Sequence, residues 1–283
     1  ILILVILILY LSLKKKEQYS LFLTQYKKEL LLPIIAPFSL FIVDKLDIYK
    51  RFPKLSGNVH QKMITLRGVR NSQTFTKIHF SKVVTIATIS ILVLSMIFVS
   101  QAEKDYTLLL FAAFMMCLIL YMQFKELDTK VKKRKEQILI ELPEFVNKII
   151  LLVNAGETVQ GAINKSVYQN LNRIYDSPLY YELNETMNKL QSNASFEDAM
   201  KDFSQRCGVQ EVSVLTTTIM MNYRKGGTQL ADSLKDLSKS LWEKRKTITK
   251  IKGEEAPSKM IFPMIFIFGA ILIIIIYPAL SMF

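Results

Sequence analysis

The sequence predicts an all-α polytopic membrane protein with about four transmembrane helices and a cytoplasmic six-helix bundle. Three observations predict it. Long apolar blocks contain no Asp, Glu, Lys or Arg; the longest segment between them repeats its apolar residues every 3.6 positions; and no stretch alternates as a strand would. Among 283 residues, 51% are hydrophobic, yet Lys+Arg 37 against Asp+Glu 24 leave a net charge of +13. A mean hydropathy of +0.25 beside such a charge requires the two kinds of residue to be segregated. Gly 9 and Pro 8 exclude a disordered or collagenous chain, and Cys 2 excludes a disulfide framework.

The uncharged blocks are Ile1 to Leu13, Val83 to Ala102, Tyr106 to Phe124 and Met260 to Phe283. A span takes roughly 20 apolar residues, so the last three are expected to cross a bilayer. At about 1.5 Å per residue the first reaches only about 20 Å. It starts at Ile1 and runs into Lys14, Lys15 and Lys16 without a small-residue cleavage pattern. We read it as a membrane helix whose beginning is missing, rather than as the remnant of a signal peptide.

Charge sets the expected orientation. Lys14 to Lys82 carries a net +10, Glu103 to Asp105 a net −1, and Lys125 to Lys259 a net +4. Positive segments stay inside, so both long segments are expected in the cytoplasm and both termini outside. Leu30 to Val43 is too short to span comfortably and is interrupted by Pro33 and Pro37. It is expected to lie as an amphipathic helix on the inner surface. The basic run from Lys125 to Glu136 reads as a juxtamembrane anchor for anionic lipid, not as a nucleic-acid patch.

Beyond that run, Ile138, Leu142, Phe145, Ile149 and Leu152 share one helical stripe that ends at Gly156. Glu157 and Thr158 restart the helix. Asn193 and Gly227 are followed by apolar residues at the same offsets, at spacings of 37 and 34 residues. The pattern is a helix, a tight corner and a returning helix, three times over. Gly156, Asn193, Gly226 and Gly227 are the expected corner residues, since a left-handed turn suits Gly and is tolerated by Asn. Ser195 with Asp198 fits a capping box at the middle restart.

Catalytic signatures are missing. Lys225-Gly226-Gly227-Thr228 puts its Lys before the glycines and cannot cradle a phosphate as a P-loop does. His60 and His79 lack metal-ligand company and are expected to be solvated or membrane-proximal. The accepted spans hold no ionisable Asp, Glu, Lys, Arg or His, which weighs against a carrier and against a prepilin peptidase with intramembrane aspartates. No enzyme and no cofactor is expected. A permease-like transport or signalling component is the competing class.

Three ordered stretches carry a family resemblance. They are Glu141-Leu142-Pro143-Glu144-Phe145 through to Ala155-Gly156, then Tyr223-Arg224-Lys225-Gly226-Gly227-Thr228-Gln229-Leu230, and last Glu254 to Pro263 with Tyr277-Pro278-Ala279-Leu280. With the layout, they resemble the bacterial type II secretion F family, in particular the Tad/Flp pilus platform proteins TadB and TadC. A single F domain, here 125–259, is more like TadC. It follows an N-terminal helix (1–13), a basic segment (14–82) and a membrane hairpin (83–124), and precedes a last helix (260–283). Asn193 stands where the family often has Gly, and Gly269-Ala270 where a Pro is common.

The resemblance implies a non-enzymatic platform in the bacterial inner membrane. Such a platform works with a hexameric secretion ATPase, pilin subunits, and a second platform protein or another copy of itself. Glu157, Thr158, Arg224 and Lys225 are then the candidate ATPase-facing corner residues. Pro263, Gly269 and Pro278 are candidates for a groove in the last span, because a proline leaves helix carbonyls free.

Overall fold

Helix is the regular structure throughout the described residues, 10–45, 51–100, 106–222 and 227–281 of a computed structural model. Most of the expected first span and the Arg224-Lys225-Gly226 corner lie outside these residues. The chain divides into two units, Ile1–Arg134 and Lys135–Phe283.

In the first unit a helix over residues 10–16 is followed by α1 (Ser20–Gln25) and a 3-10 turn at Lys27–Glu29. Then come α2 (Ala36–Lys45), α3 (Pro53–Arg67), α4 (Val69–Ser100) and the start of α5 (Tyr106–Asn154). The expected surface helix at Leu30 to Val43 is corrected here. Pro33 lies in a turn, the helix begins only at Ala36, and Ala36, Pro37, Phe38, Ser39, Leu40 and Val43 are buried. A helix buried along so much of its length is a packed element of the unit, not an amphipathic float.

Polar contacts fix that packing. The buried Ser39 and Ser81 hydroxyls share a hydrogen bond of 2.6 Å. Tyr19 donates its phenol to Asp44 at 2.6 Å, while Lys77 Nζ lies 2.7 Å from the same carboxylate. Burial first, and then Asp44, hold the Tyr19 phenol well above its ordinary pKa. Val43, Val59, Met63, Phe80 and Leu127 form one apolar cluster, so α2, α3, α4 and the early part of α5 share a core. The basic segment is thus a folded layer with its own interior. His79 is only 8% exposed, so of the two expected settings, solvated or membrane-proximal, the solvated one does not hold for it.

The second unit starts in α5 and continues through α6 (Val159–Tyr168), α7 (Pro178–Gln191), α8 (Phe196–Cys207), α9 (Gln210–Asn222) and α10 (Gly227–Ser281). Ile138, Leu142, Phe145 and Ile149 are at most 2% exposed, and they meet Ile163, Leu179, Leu183, Phe203, Leu215 and Leu234 in one core. Gly156 has φ +91. Its N–H bonds the carbonyl of Val153 at 3.0 Å, and Glu157 N–H that of Leu152 at 3.0 Å, the pattern of a Schellman stop. Asn193, at φ +63, repeats it: its own N–H reaches Leu190 and that of Ala194 reaches Lys189. Two residues past each left-handed residue sits an N-cap. Thr158 accepts from Gly161 N–H, and Ser195 from Asp198 N–H. The Ser195 hydroxyl in turn donates to the Asp198 carboxylate at 2.6 Å.

Asn71–Val99 and Leu110–Asn154 are helices long and apolar enough to cross a membrane, and only 6% of the apolar window of each is buried. A core helix of a globular domain would be mostly buried, so these stretches have the exposure of lipid-facing segments. Pro263–Ile276 of α10 is a shorter apolar stretch of the same character, with Met264, Phe266, Ile273 and Ile274 each more than 60% exposed.

Candidate functional site

The second unit's most distinctive sequence, Glu141-Leu142-Pro143-Glu144-Phe145, can be read residue by residue. Leu142 and Phe145 enter the core at 0% and 2% exposure. Pro143 removes one backbone donor inside α5. The two carboxylates reach out to the loop between α6 and α7. Glu141 accepts a hydrogen bond from the Ser177 hydroxyl, and Arg173 lies 3.8 Å from Glu141 and 3.9 Å from Glu144. Ser177 also caps α7 by accepting from Tyr180 N–H, and the Arg173 guanidinium lies 5.5 Å from the Tyr180 ring centroid. The stretch therefore anchors both the core and the start of α7.

A second constellation was hidden in the sequence. Arg206, near the end of α8, is 9% exposed, and its Nε donates to Glu182 of α7 at 2.6 Å. Its Nη2 donates to the Glu182 carbonyl at 3.1 Å and to the Thr186 hydroxyl at 2.8 Å, while Asp202 pairs with the same guanidinium. Glu182 is 3% exposed. The available signal was spacing: Arg206 falls on the stripe of Ala199, Met200 and Phe203, and Glu182 on that of Leu179, Leu183 and Thr186. A charge on each of two apolar stripes marks a candidate buried pair.

The expected partner-facing residues are distributed as follows. Glu157 and Thr158 sit together at the Gly156 corner, where Glu157 pairs with Lys165 at 2.8 Å and Thr158 serves as the cap. A Cβ at Gly161 would come within 3.0 Å of both side chains, so the missing side chain leaves room for the cap. Arg224, Lys225 and Gly226 fall outside the described residues, and Gly227 is the first residue of α10. Pro263 lies inside α10 on an exposed turn, and a Cβ at Gly269 would touch nothing within 4 Å. Pro278 is within α10.

Helix α10 joins the bundle to the apolar stretch. Leu230, Ala231, Leu234 and Leu241 are buried within 2%. Ser238 donates to Asn147 of α5 at 2.5 Å, and Lys252 pairs with Glu136 at 3.2 Å. From Met260 onward the described apolar side chains face outward. A bundle of short helices continued by one helix into an exposed apolar stretch is the architecture of a membrane-anchored helical domain.

Residues 141–278 match the family model described as type II secretion system (T2SS), protein F. The match covers just under half of the chain and takes in α5 from Glu141, the short helices and most of α10, so this part of the chain is similar to the F-type domain of that family. No curated protein and no solved structure matches the chain.

The buried pair yields a prediction. Arg206→Met alone leaves the buried Glu182 charge without the guanidinium that faces it, and should cost about 3–5 kcal/mol in denaturant unfolding. Adding Glu182→Leu should recover most of that loss. A double variant no better than the single one would show that the pair's worth lies elsewhere than in mutual compensation.

Proposed function

We propose that this protein is an inner-membrane platform protein of the TadC kind, which couples a cytoplasmic secretion ATPase to pilin extraction and filament assembly. The observation that carries the reading is α10. Its first turns are core residues of the F-type domain, its middle is held to α5 and α9 by Ser238, Lys252 and Lys244, and its last turns are an exposed apolar stretch. A helix of 55 residues is about 80 Å long at about 1.5 Å per residue. A push or rotation received by the bundle has a continuous backbone along which to travel to the membrane.

The ATPase meets the bundle at its corners. The Gly156 and Asn193 corners are built alike, each a left-handed residue, a spacer and a capping hydroxyl. The rigid Gly156 corner presents Glu157 beside the capping Thr158, and Arg224 and Lys225, which precede α10 in the sequence, are assigned to the same contact. The other partners in this reading are a TadB-like protein or a second copy, met in the membrane together with pilin. Pro263, Gly269 and Pro278 of α10 form the groove that receives them, and the open space at Gly269 leaves room for a neighbouring backbone.

Reversing both charges, Arg224→Glu with Lys225→Glu, should abolish affinity co-purification of the secretion ATPase while the helical circular dichroism stays at the wild-type level. Undiminished recovery would remove the corner from the account. Cysteines placed singly at positions 263, 269 and 278 should give disulfide adducts with pilin or with a platform partner. The absence of an adduct at all three would argue that this face of α10 meets only lipid.

A further inference from the structure

The first unit contains a cavity of about 230 Å³ lined only by its own residues. Charged groups converge on it from four elements: Glu29 from the 3-10 turn, Arg67 from α3, Lys82 from α4, and Glu126 and Lys130 from α5. Arg67 pairs with Glu29 at 2.7 Å and Lys130 with Glu126 at 2.6 Å, both pairs substantially exposed. Three cations against two carboxylates leave the lining positive. His79 also lines it, is only 8% exposed, and its buried Nε2 has no hydrogen-bond partner. The Nε2 itself is closed off from solvent, so His79 is part of the wall, and the excess positive charge of the lining calls for something negative in the cavity.

The position of the cavity says what that something is. Lys82 is the last charged residue before the uncharged run from Val83, and Lys125 the first after the run that ends at Phe124. The cavity therefore lies where two apolar stretches begin, at the depth of phospholipid headgroups. Outward from it, Val93, Met96, Phe111, Phe114 and Leu118 are 40–67% exposed on α4 and α5, surfaces suited to acyl chains. The two carboxylates select further. They repel a free phosphate dianion more strongly than the single charge of a phosphodiester.

We propose that this cavity binds the phosphodiester headgroup of an anionic phospholipid. Lys82 and Arg67 face its charge, His79 closes the wall behind it, and the acyl chains lie along α4 and α5. A lipid seated there ties α3, α4 and α5 together at the membrane surface and acts as a structural member of the unit.

The test uses the full chain in a neutral detergent, titrated separately with phosphatidylglycerol, phosphatidylcholine and inorganic phosphate, with Tm and retained lipid by native mass spectrometry as readouts. Phosphatidylglycerol should raise Tm saturably, and phosphatidylcholine should not. Lys82→Gln should weaken the effect about fivefold, the share of one lysine near an anionic headgroup. Lys82→Arg should retain it, and Lys201→Gln with Lys239→Gln, exposed lysines of the second unit, should leave it unchanged. Equal protection by inorganic phosphate would reassign the cavity to a free anion. Equal loss in the Lys201/Lys239 pair would reassign the effect to diffuse surface charge, and no protection by any additive would leave the cavity to water. If Lys82→Gln does not fold, a headgroup photo-crosslinking lipid on the wild-type chain decides. Adducts within 75–82 or 123–130 support the site, and adducts found only elsewhere overturn it.

Discussion

One helix has to satisfy two environments without a break, and the second unit is arranged around that constraint. The first turns of α10 place Leu230, Leu234 and Leu241 in the core at helical spacing. Farther along, Ile273, Ile274 and Ile275 are exposed all round. Burying a leucine in the bundle stabilises by about 1.5–3 kcal/mol, so the amino-terminal part of α10 is held firmly. Between the two patterns, Lys244 pairs with Glu211 and Lys252 with Glu136. These half-exposed ion pairs contribute modestly to stability. Their main effect is to fix which side of α10 faces α5 and α9.

The same economy appears in the corners. Short helices gain little from propensity alone, so each has to be stopped and restarted sharply for its apolar face to meet the common core. Gly156 and Asn193 do this with reciprocal backbone bonds, and Gly208 does it at φ +59 between α8 and α9. Within this frame the Arg206–Glu182 pair fixes the register of α8 on α7. A pair so deeply buried is a weak source of net stability but a strict one of geometry, because a misregistered helix would strand a charge. In the proposed platform role, transmitting force would need that kind of definition more than extra stability.

Local chemistry explains what could be read from the sequence. The stripe from Ile138 to Ile149 and the stops at Gly156 and Asn193 depend on residues a few positions apart, and periodicity and turn chemistry report such neighbours directly. The first unit was much less legible. Tyr19 with Asp44, and Ser39 with Ser81, are contacts across 25 and 42 residues that no local pattern announces. For that reason the segment around Leu30 to Val43 reads as an interfacial helix although Leu40 and Val43 are buried at 0% and 1%. The role of Glu141 and Glu144 was hidden in the same way. Their partners, Ser177 and Arg173, lie in an irregular loop whose path depends on the finished bundle. The resemblance to secretion F proteins said nothing of this chemistry.

The central claim is that the F-type domain drives events in the membrane through an unbroken α10, and one measurement tests it most directly. A flexible Gly-Ser-Gly-Ser insertion between Gly253 and Glu254 interrupts the helix after the Lys252–Glu136 ion pair and before its apolar stretch. Filament assembly is then measured in cells producing this variant, alongside recovery of the secretion ATPase with it. The account predicts that the ATPase is recovered as with the wild type while assembled filaments are lost. Filaments at the wild-type level on a severed α10 would contradict it.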